Sequence, residues 1–290
     1  MTQPLISIVI VNYNYGRFLE EAITSILGQS CQDFELLIVD GGSTDNSVEI
    51  IKKYETRLAW WCSEPDKGQS EAFNKGFEKA SGKFLTWLNA DDLLLPGALA
   101  AFAKKACKYP ECEWFTGNLY RFQNDGVICE VNWGPHVFPS ILQRRDAPVV
   151  VFGPTSFFSK NIYEQVGRID ESLNFMMDTD LWLKFMHADI RQIRINHYCW
   201  AFRLHTESKT SEFDGHILDE KTKAKFCLES ERVMTARGYK MSKLMYVLLL
   251  CVRILDGSFL LAIYYKMRLL NRAIRCMPDD KRKEGSSVVV

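Results

Sequence analysis

Three polar residues follow one apolar stretch of the sequence. Residues 84–88 (FLTWL) have the composition of a buried strand, and Asn89, Asp91 and Asp92 come directly after them. Two adjacent carboxylates repel each other unless a cation lies between them, and a hard divalent ion held by one or two carboxylates and phosphate oxygens is a common arrangement. Alternatively, Asp92 caps the helix that begins near Pro96. The pattern therefore indicates a metal site or a helix cap.

The first 120 residues alternate strand-like and helix-like segments. Strands are predicted at 5–11, 34–39, 58–62 and 84–88, and helices at 18–27, 46–54 and 69–79. This order predicts an α/β fold with a mostly parallel sheet wrapped by helices, in which ligands bind beyond the carboxyl ends of the strands. Polar segments follow all four strands, at residues 12–14, 40–43, 64–68 and 89–92. We therefore expect one polar site at this edge of the sheet.

The charges are balanced overall but unevenly distributed. The 290 residues include 36 basic and 36 acidic side chains, so no overall basic field suggests nucleic acid as a partner. From Glu231 onward, however, there are 12 basic and 5 acidic residues, a net charge of +7 that leaves −7 for residues 1–230. This division predicts a main domain at 1–230 and a basic extension at 231–290 that faces a different partner.

The cysteines and the N-terminus favour a reducing compartment. Nine cysteines are scattered without a C-x-x-C pair, which indicates neither a disulfide framework nor a zinc site. The first residues lack the basic and long apolar regions of a secretory signal. We therefore expect a cytoplasmic location.

Three longer blocks of sequence resemble the signatures of one enzyme family. They are SIVIVNYNYGRFLEEAITSILGQSCQDFELLIVDGGSTDNS, SEPDKGQSEAFNKGFEKASGKFLTWLNADD and DESLNFMMDTDLWLKF, and they resemble the successive motifs of the family 2 glycosyltransferases over about residues 4–210. The resemblance implies the inverting GT-A fold, with a Rossmann-like, mostly parallel central sheet flanked by helices. It also implies a nucleotide-sugar-binding half at about 1–120, an acceptor-binding and catalytic-base half at about 121–230, and a helical C-terminal extension.

The resemblance assigns the nucleotide end of the donor to the first two strand ends. It implies that Val11 and the Tyr13 ring hold the base. Asp40 would read the base or the ribose, because a carboxylate accepts two directional hydrogen bonds. As alternatives, Tyr13 packs against the sheet edge, and Asp40 begins a turn at Gly41.

The segment DKGQSEAFNKG resembles the loop and helix beside the diphosphate. Lys67, Gly68 and Asn74 occupy the matching positions. A glycine allows the backbone to approach a ligand, and the helix N-terminus near Gln69 offers free N–H groups to an anion. Alternatively, Lys67 faces solvent.

The resemblance places a metal at NADD. Asp92 would bind Mn²⁺ or Mg²⁺, and Asp91 would contact the ribose or support the metal. Asn89 stands where the family often has Asp, which removes one negative charge. In the segment AFRLHTESKT, Arg203 would contact the donor and His205 the metal; alternatively, His205 is structural.

The third block supplies the candidate catalytic base. Asp178 in MMDTDLWLKF matches the family's catalytic carboxylate, with Asp180 behind it and Met177 where the family usually has Glu. Inversion needs one carboxylate that takes the proton from the acceptor hydroxyl while its oxygen attacks. Alternatively, Asp178 caps a helix over 179–187.

The C-terminal part is basic and strongly apolar. Residues 244–263 approach the length of a membrane span, but Arg253 and Asp256 lie in the middle, and each would cost about 3 kcal/mol at the bilayer centre. The segment 240–275 is therefore predicted to lie on an anionic membrane surface or, alternatively, to pack on the catalytic domain or on a second subunit in a homodimer.

These features predict a metal-dependent inverting glycosyltransferase, peripheral at the inner face of the membrane. It would move a sugar from a nucleoside diphosphate sugar, with UDP as the expected nucleotide, to a hydroxyl of a polysaccharide or lipid-linked glycan. One alternative is a non-catalytic sugar-nucleotide-binding protein, which would not need Asp178. Another is a sugar-nucleotide nucleotidyltransferase, which should have a Gly-rich, Arg-containing loop after the first strand, and a dehydrogenase would need G-x-G-x-x-G there. The segment VNYNYGRF matches neither pattern.

Overall fold

The computed structural model describes residues 3–123, 126, 128–132, 153–205, 207 and 220–238. The strands are β1 Ile6–Asn12, β2 Phe34–Asp40, β3 Trp60–Ser63, β4 Phe84–Asn89, β5 Leu93–Leu94, β6 Trp114–Gln123, β7 Ile128–Asn132, β8 Ser156–Ser159 and β9 Gln192–Leu204. The helices are α1 Gly16–Leu27, α2 Ser47–Tyr54, α3 Gln69–Lys79, α4 Ala98–Lys108, α5 Lys160–Gln165, α6 Met177–His187 and α7 Glu220–Ala236. The predicted strands and helices of the first 120 residues are confirmed, with bounds that shift by a few residues.

One mixed sheet runs through the described part of the chain. Its strand order is β3-β2-β1-β4-β8-β6-β9-β5, and β7 pairs with β6. The first four strands in this order are mutually parallel. Beyond β4, strand β8 is antiparallel to both of its neighbours, whereas β9 is parallel to β6. The expectation of a mostly parallel sheet therefore holds for strands β1 to β4, and the rest of the sheet is mixed.

Both faces of the central strands are covered. In β1, Ile6, Ile8 and Ile10 pack on one face with helices α1 and α4, whereas Val9 and Val11 pack on the other with α3 and α6. Every residue of β1 is buried, which explains why the strand appears in the sequence as a continuous apolar run without polar alternation.

Three tryptophans stack across the second face. The Trp182 ring on α6 lies 5.6 Å from the Trp87 ring on β4 and 5.7 Å from the Trp114 ring on β6. The planes are nearly parallel, at 3° and 17°. This stack joins α6 to two strands of the sheet.

Helix α3 packs directly against the sheet at Gly76. A Cβ atom at Gly76 would lie 2.4 Å from Cγ1 of Val9 and 3.2 Å from Cγ2 of Val39. The absence of a side chain at Gly76 therefore lets α3 approach β1 and β2. This approach positions the N-terminus of α3, at Gln69, near the carboxyl ends of these strands.

Helix α7 crosses the predicted domain boundary at 230/231. Val233 is 3% exposed, and Arg237, just after the helix, pairs with Asp180 on α6. The predicted boundary thus lies inside a helix that contacts the rest of the described fold, and the division into two domains stays a prediction. The apolar segment 244–263 and the basic segment 240–275 lie outside the described residues. Within the described part of the chain, no helix combines the length and the hydropathy needed to cross a membrane.

Candidate active site

A cavity of about 780 Å³ opens at the carboxyl ends of the parallel strands. Its size lies in the usual range for small-molecule sites. The first 120 residues and the residues from 153 onward both contribute to its lining, which includes Val11, Asn12, Tyr13, Tyr15, Gly41, Gly42, Asp66, Lys67, Gly68, Gln69, Asn89, Asp91, Asn174, Phe175, Met177, Asp178, Trp200 and Phe202. The prediction that four strand ends converge on one site is therefore confirmed.

Tyr13 and Asp66 flank a glycine at one end of the cavity. The Tyr13 side chain is 60% exposed, so it is not packed against the sheet edge. A Cβ atom at Gly41 would lie 3.4 Å from Cδ2 of Tyr13 and 2.8 Å from Oδ2 of Asp66. Burial raises the pKa of Asp66, and its Oδ1 accepts the Gly68 N–H at 2.8 Å. Asp66 is a cavity residue that no motif in the sequence singles out, although it lies in the polar segment after β3.

Asp40 lies beneath the cavity and does not line it. It is fully buried, and four donors contact its carboxylate: the Asn12 amide at 2.6 Å, the Ser43 N–H at 2.9 Å, the Ser43 hydroxyl at 2.6 Å and the Ser63 hydroxyl at 2.6 Å. The bond from the Ser43 N–H closes the turn that was the alternative interpretation. Because its acceptor positions are used internally, the expected contact of Asp40 with the donor does not fit this geometry. Asp40 instead ties the ends of β1, β2 and β3 together.

Asn74 also lies away from the cavity. Its amide group donates to the Ile169 carbonyl at 3.0 Å and to Glu171 at 2.9 Å, and its carbonyl accepts a hydrogen bond from the Tyr163 hydroxyl. The expected donor contact of Asn74 is thus replaced by a structural role, because these bonds fasten α3 to the segment that precedes α6.

Lys67 and Gly68 line the cavity, and their contact with a diphosphate stays a prediction. Lys67 is exposed, and Gly68 has φ +133°, a conformation that favours glycine. Gly68 is the N-cap of the 11-residue helix α3. Inside the first turn, the Gln69 amide donates to Asn89 Oδ1 at 2.7 Å. The loop thus presents a cationic side chain and a helix N-terminus to the same space.

Asp91 faces the cavity, whereas Asp92 faces the interior. The Asp92 N–H donates to the Asn89 carbonyl at 3.1 Å, and this turn directs the two adjacent side chains to different sides. Asp92 is fully buried, where it accepts the Arg203 N–H and the Asn89 amide, each at 3.0 Å. Burial, and then the nearby Asp91, raise the pKa of Asp92 well above its usual range. The expectation that Asp92 is the metal ligand is therefore corrected, and Asp92 is not a cap either, because Gly97 is the N-cap of α4.

His205 is the partner of Asp91. Its Nε2 lies 3.0 Å from Asp91 Oδ2, and its ring packs against Tyr15 and Phe18 with centroid distances of 5.5 and 4.9 Å. Among the described residues, no group of three or more His, Cys, Asp or Glu side chains is arranged to hold a metal ion. The carboxylate–imidazole pair nevertheless fits a divalent cation that takes its other ligands from phosphate and water.

Arg203 supports the Asp91 loop from behind and does not line the cavity. Its Nε donates to the Asp91 carbonyl at 2.8 Å, and its guanidinium pairs with Glu21. The guanidinium also lies 4.9 Å from the ring centroid of Phe18 and 4.6 Å from that of Phe122. The expected donor contact of Arg203 is therefore corrected to a structural role.

Asp178 enters the cavity from the second half of the chain. It is the second residue of α6, whose N-cap is Met176, so Asp178 is not itself the cap. Its Oδ1 accepts the Thr179 N–H at 2.6 Å and the Thr179 hydroxyl at 3.3 Å, and no other described side chain donates to it. Burial raises the pKa of Asp178, and the bonds from Thr179 only partly offset this effect. The carboxylate is thus suited to accept a proton.

The carboxylate of Asp180 is already paired with cationic side chains. Arg237 forms a two-pronged contact with its carboxylate at 2.7 and 3.1 Å, and Lys184 lies 3.2 Å away. These contacts make Asp180 an anchor for the end of α7.

Solved structures define the class of protein to which this fold belongs. The mannosyltransferase PcManGT from Pyrobaculum calidifontis, in complex with GDP-Man and Mn²⁺, is similar over 99% of this chain and 80% of that chain, with TM-score 0.61 and 16% identity. S. aureus TarS 1–349, in complex with UDP-GlcNAc, is similar over 70% of this chain and 59% of that chain, with TM-score 0.57 and 16% identity. The chain has the GT-A fold of these glycosyltransferases.

Sequence comparison defines the family. Residues 7–167 match the model of glycosyl transferase family 2, so the chain belongs to this family. An uncharacterized glycosyltransferase of Rickettsia typhi is 28% identical over 196 residues, which are 64% of this chain and 59% of the relative. An uncharacterized glycosyltransferase of Methanocaldococcus jannaschii is 27% identical over 214 residues, which are 70% of this chain and 72% of the relative. The match to the Rickettsia relative thus spans only 59% of its length.

Proposed function

We propose that the chain is a metal-dependent, inverting glycosyltransferase. It transfers a sugar from a nucleoside diphosphate sugar, with UDP as the nucleotide, to a hydroxyl group of a polysaccharide or a lipid-linked glycan. One observation carries the proposal: Asp178, a carboxylate with a raised pKa, and Asp91, which pairs with His205, come from different halves of the chain but line one cavity.

Donor binding uses the strand ends of the first half. The exposed Tyr13 ring offers a stacking surface for the base, and Asp66 Oδ2 faces the space beside Gly41, where it can accept a hydrogen bond from the base. The N-terminus of α3 and Lys67 supply N–H groups and positive charge for the diphosphate. This arrangement transfers the base-reading role from Asp40 to Asp66.

The metal proposal rests on Asp91 and His205. These two side chains would hold Mn²⁺ or Mg²⁺, and the bound ion would neutralise charge on the departing diphosphate. Arg203 and the Asn89–Asp92 turn hold the Asp91 backbone in place from behind.

Asp178 serves as the general base. Its carboxylate takes the proton from the acceptor hydroxyl while the hydroxyl oxygen attacks the anomeric carbon opposite the leaving group. The position of this carboxylate in the same cavity supports an enzyme over a protein that only binds sugar nucleotides. The cavity wall also includes Phe175, Trp200 and Phe202, whose rings provide apolar faces against which a sugar can pack.

The proposed setting is the inner face of the cell membrane. The basic segment 240–275, which lies outside the described residues, would contact anionic lipid. The alternative is that this segment packs on the catalytic domain or on a second subunit.

A binding and product-release experiment tests the function. Full-length protein is mixed with UDP-glucose, UDP-GlcNAc or GDP-mannose in Mn²⁺, Mg²⁺ or EDTA, and both the melting temperature and the release of nucleoside diphosphate are measured. A donor at about 100 times its Kd should stabilise the folded state by about 2.7 kcal/mol, and this gain should need the metal. We expect a UDP-sugar to give the largest shift.

Asp91→Asn supplies the matched variant. It should weaken the metal-dependent part of donor binding by at least about tenfold, since it removes a charged ligand. Glu49→Gln, which removes an exposed carboxylate on α2, should leave binding unchanged. The proposal is wrong if no sugar nucleotide shifts the melting temperature, or if binding is equal with Mn²⁺ and with EDTA.

A further inference from the structure

Helix α7 holds the segment that leads into the proposed base. Glu229, in the middle of the helix, accepts three successive backbone N–H groups with the single oxygen Oε1. The distances are 2.9 Å from Asn174, 2.6 Å from Phe175 and 2.7 Å from Met176. These three residues directly precede α6.

A carboxylate at this position is electrostatically favourable. Met176 is the N-cap of α6 and has no side-chain cap. The N–H groups at a helix start lack partners within the helix and carry the positive end of the helix dipole. Successive N–H groups that converge on one point bind an anion well. Glu229 therefore supplies from another helix a charged acceptor for the N–H groups that lead into α6, where no side-chain cap is present.

The segment held by Glu229 also lines the cavity. Asn174 and Phe175 contribute to the wall, and Asp178 follows Met176 by two residues. The direction in which the Asp178 carboxylate points therefore depends on the conformation of 174–176. Glu229 itself does not line the cavity, so it cannot touch a substrate there.

Further contacts of α7 lie on both sides of Asp178. Upstream, Arg232 donates to the Ser172 hydroxyl at 2.6 Å, and the Phe226 ring meets the Phe175 ring with centroids 6.0 Å apart. Downstream, Arg237 pairs with Asp180 at 2.7 Å. Glu229 thus makes the central contact between α7 and the residues that precede and begin α6.

We propose that Glu229 is a positioning residue that sets the geometry of Asp178 and of the acceptor end of the cavity. This inference rests on the proposed role of Asp178 as the general base. Loss of Glu229 should reduce turnover and leave donor binding intact, because Tyr13, Asp66 and Asp91 belong to other parts of the fold.

Amide hydrogen exchange on the full-length chain tests the structural step directly. Three variants are compared with the parent: Glu229→Ala, Glu229→Gln, which keeps an acceptor oxygen but loses the charge, and Glu231→Gln as control. Glu231 is an exposed residue of the same helix. The amides of 174–176 should exchange at least about tenfold faster in Glu229→Ala, less so in Glu229→Gln and unchanged in Glu231→Gln.

Kinetics on the same variants test the functional step. We expect kcat to fall about tenfold or more in Glu229→Ala, to a smaller extent in Glu229→Gln, and not at all in the control, while the Kd for UDP with Mn²⁺ stays within about twofold. Unchanged exchange at 174–176, unchanged kcat, or an equal loss of UDP affinity would each overturn the positioning role. A parent protein that turns over no sugar nucleotide would overturn the proposed function itself, which is a distinct result from an active parent with an equally active Glu229→Ala.

Discussion

Replacement of Asp178 by Asn separates catalysis from stability. Asn has nearly the same shape, and its side-chain oxygen can accept the same two bonds from Thr179 that Oδ1 accepts in the parent. It cannot accept the proton of an acceptor hydroxyl. We therefore expect kcat to fall by about 10²–10⁴-fold, which corresponds to about 3–5 kcal/mol of transition-state stabilisation, with donor Kd within a few-fold of the parent.

Although Asp178→Asn should lower kcat, it should raise the stability of the folded protein near neutral pH. Burial raises the pKa of Asp178 above the ordinary value of 3.8, so the folded state disfavours the ionised form. As pH rises from 3.8 through the raised pKa, the unfolded parent releases its proton more readily than the folded parent, and stability is lost. The Asn variant has no such proton. Its melting temperature should equal that of the parent in acid and exceed it near neutral pH.

Two measurements decide this prediction. Single-turnover sugar transfer with saturating donor gives the rate, and melting curves from about pH 4 to about pH 8 give the difference in stability. Near-normal sugar transfer by the Asn variant would mean that a residue other than Asp178 is the general base. A melting temperature well below that of the parent at neutral pH would refute the burial argument and make the kinetic effect indirect.

Other parts of the structure lead to four shorter predictions. The acid limb of the kcat profile should lie above pH 3.8, because activity is lost as pH falls through the raised pKa of Asp178; a limb at the ordinary value would contradict its burial. Asp92→Asn should keep Mn²⁺-dependent UDP binding within about threefold by calorimetry, because Asp92 is buried behind the cavity; loss of the metal effect would restore it as a ligand. Gly76→Ala should destabilise the protein by about 1–3 kcal/mol in urea unfolding, since its Cβ would meet Val9 at 2.4 Å, and unchanged stability would mean that α3 moves away without cost. Deletion of 240–290 should abolish sedimentation with anionic liposomes at low salt, and a full-length protein that ignores such liposomes would favour the packing alternative.

The sequence predicts the strands and helices of the first 120 residues well because local signals agree there. Buried strands and amphipathic helices alternate, and each strand end carries polar residues, so the location of the site follows from topology. The topology does not predict which carboxylate faces the cavity. The turn from Asn89 to Asp92 decides which of the two adjacent aspartates faces the cavity and which faces the protein interior. A shift of one position in such a turn exchanges the two sides.

The other differences between the predicted and the observed roles arise from contacts between residues that are distant in sequence. Asn74 is satisfied by groups near Tyr163 and Ile169, and Arg203 pairs with Glu21 on the first helix. The sequence motif alone does not show that the hydrogen-bonding groups of such a residue are used by other residues of the protein, because those partners come together only in the folded chain. The same holds for Glu229, whose three partners lie more than 50 residues upstream.

The stack of Trp87, Trp182 and Trp114 has a mechanical consequence. Trp87 lies two residues before Asn89 on the strand that leads to the Asp91 turn, and Trp182 lies one helical turn beyond Asp178. A rigid column of indole rings therefore braces the strand of the proposed cation site against the helix of the proposed base. Since close-packed rings resist shear, we expect the span between the leaving-group end and the attacking end of the reaction to be fixed before substrate arrives. Near-ultraviolet circular dichroism, which is sensitive to coupled indoles, should then change little when a donor binds.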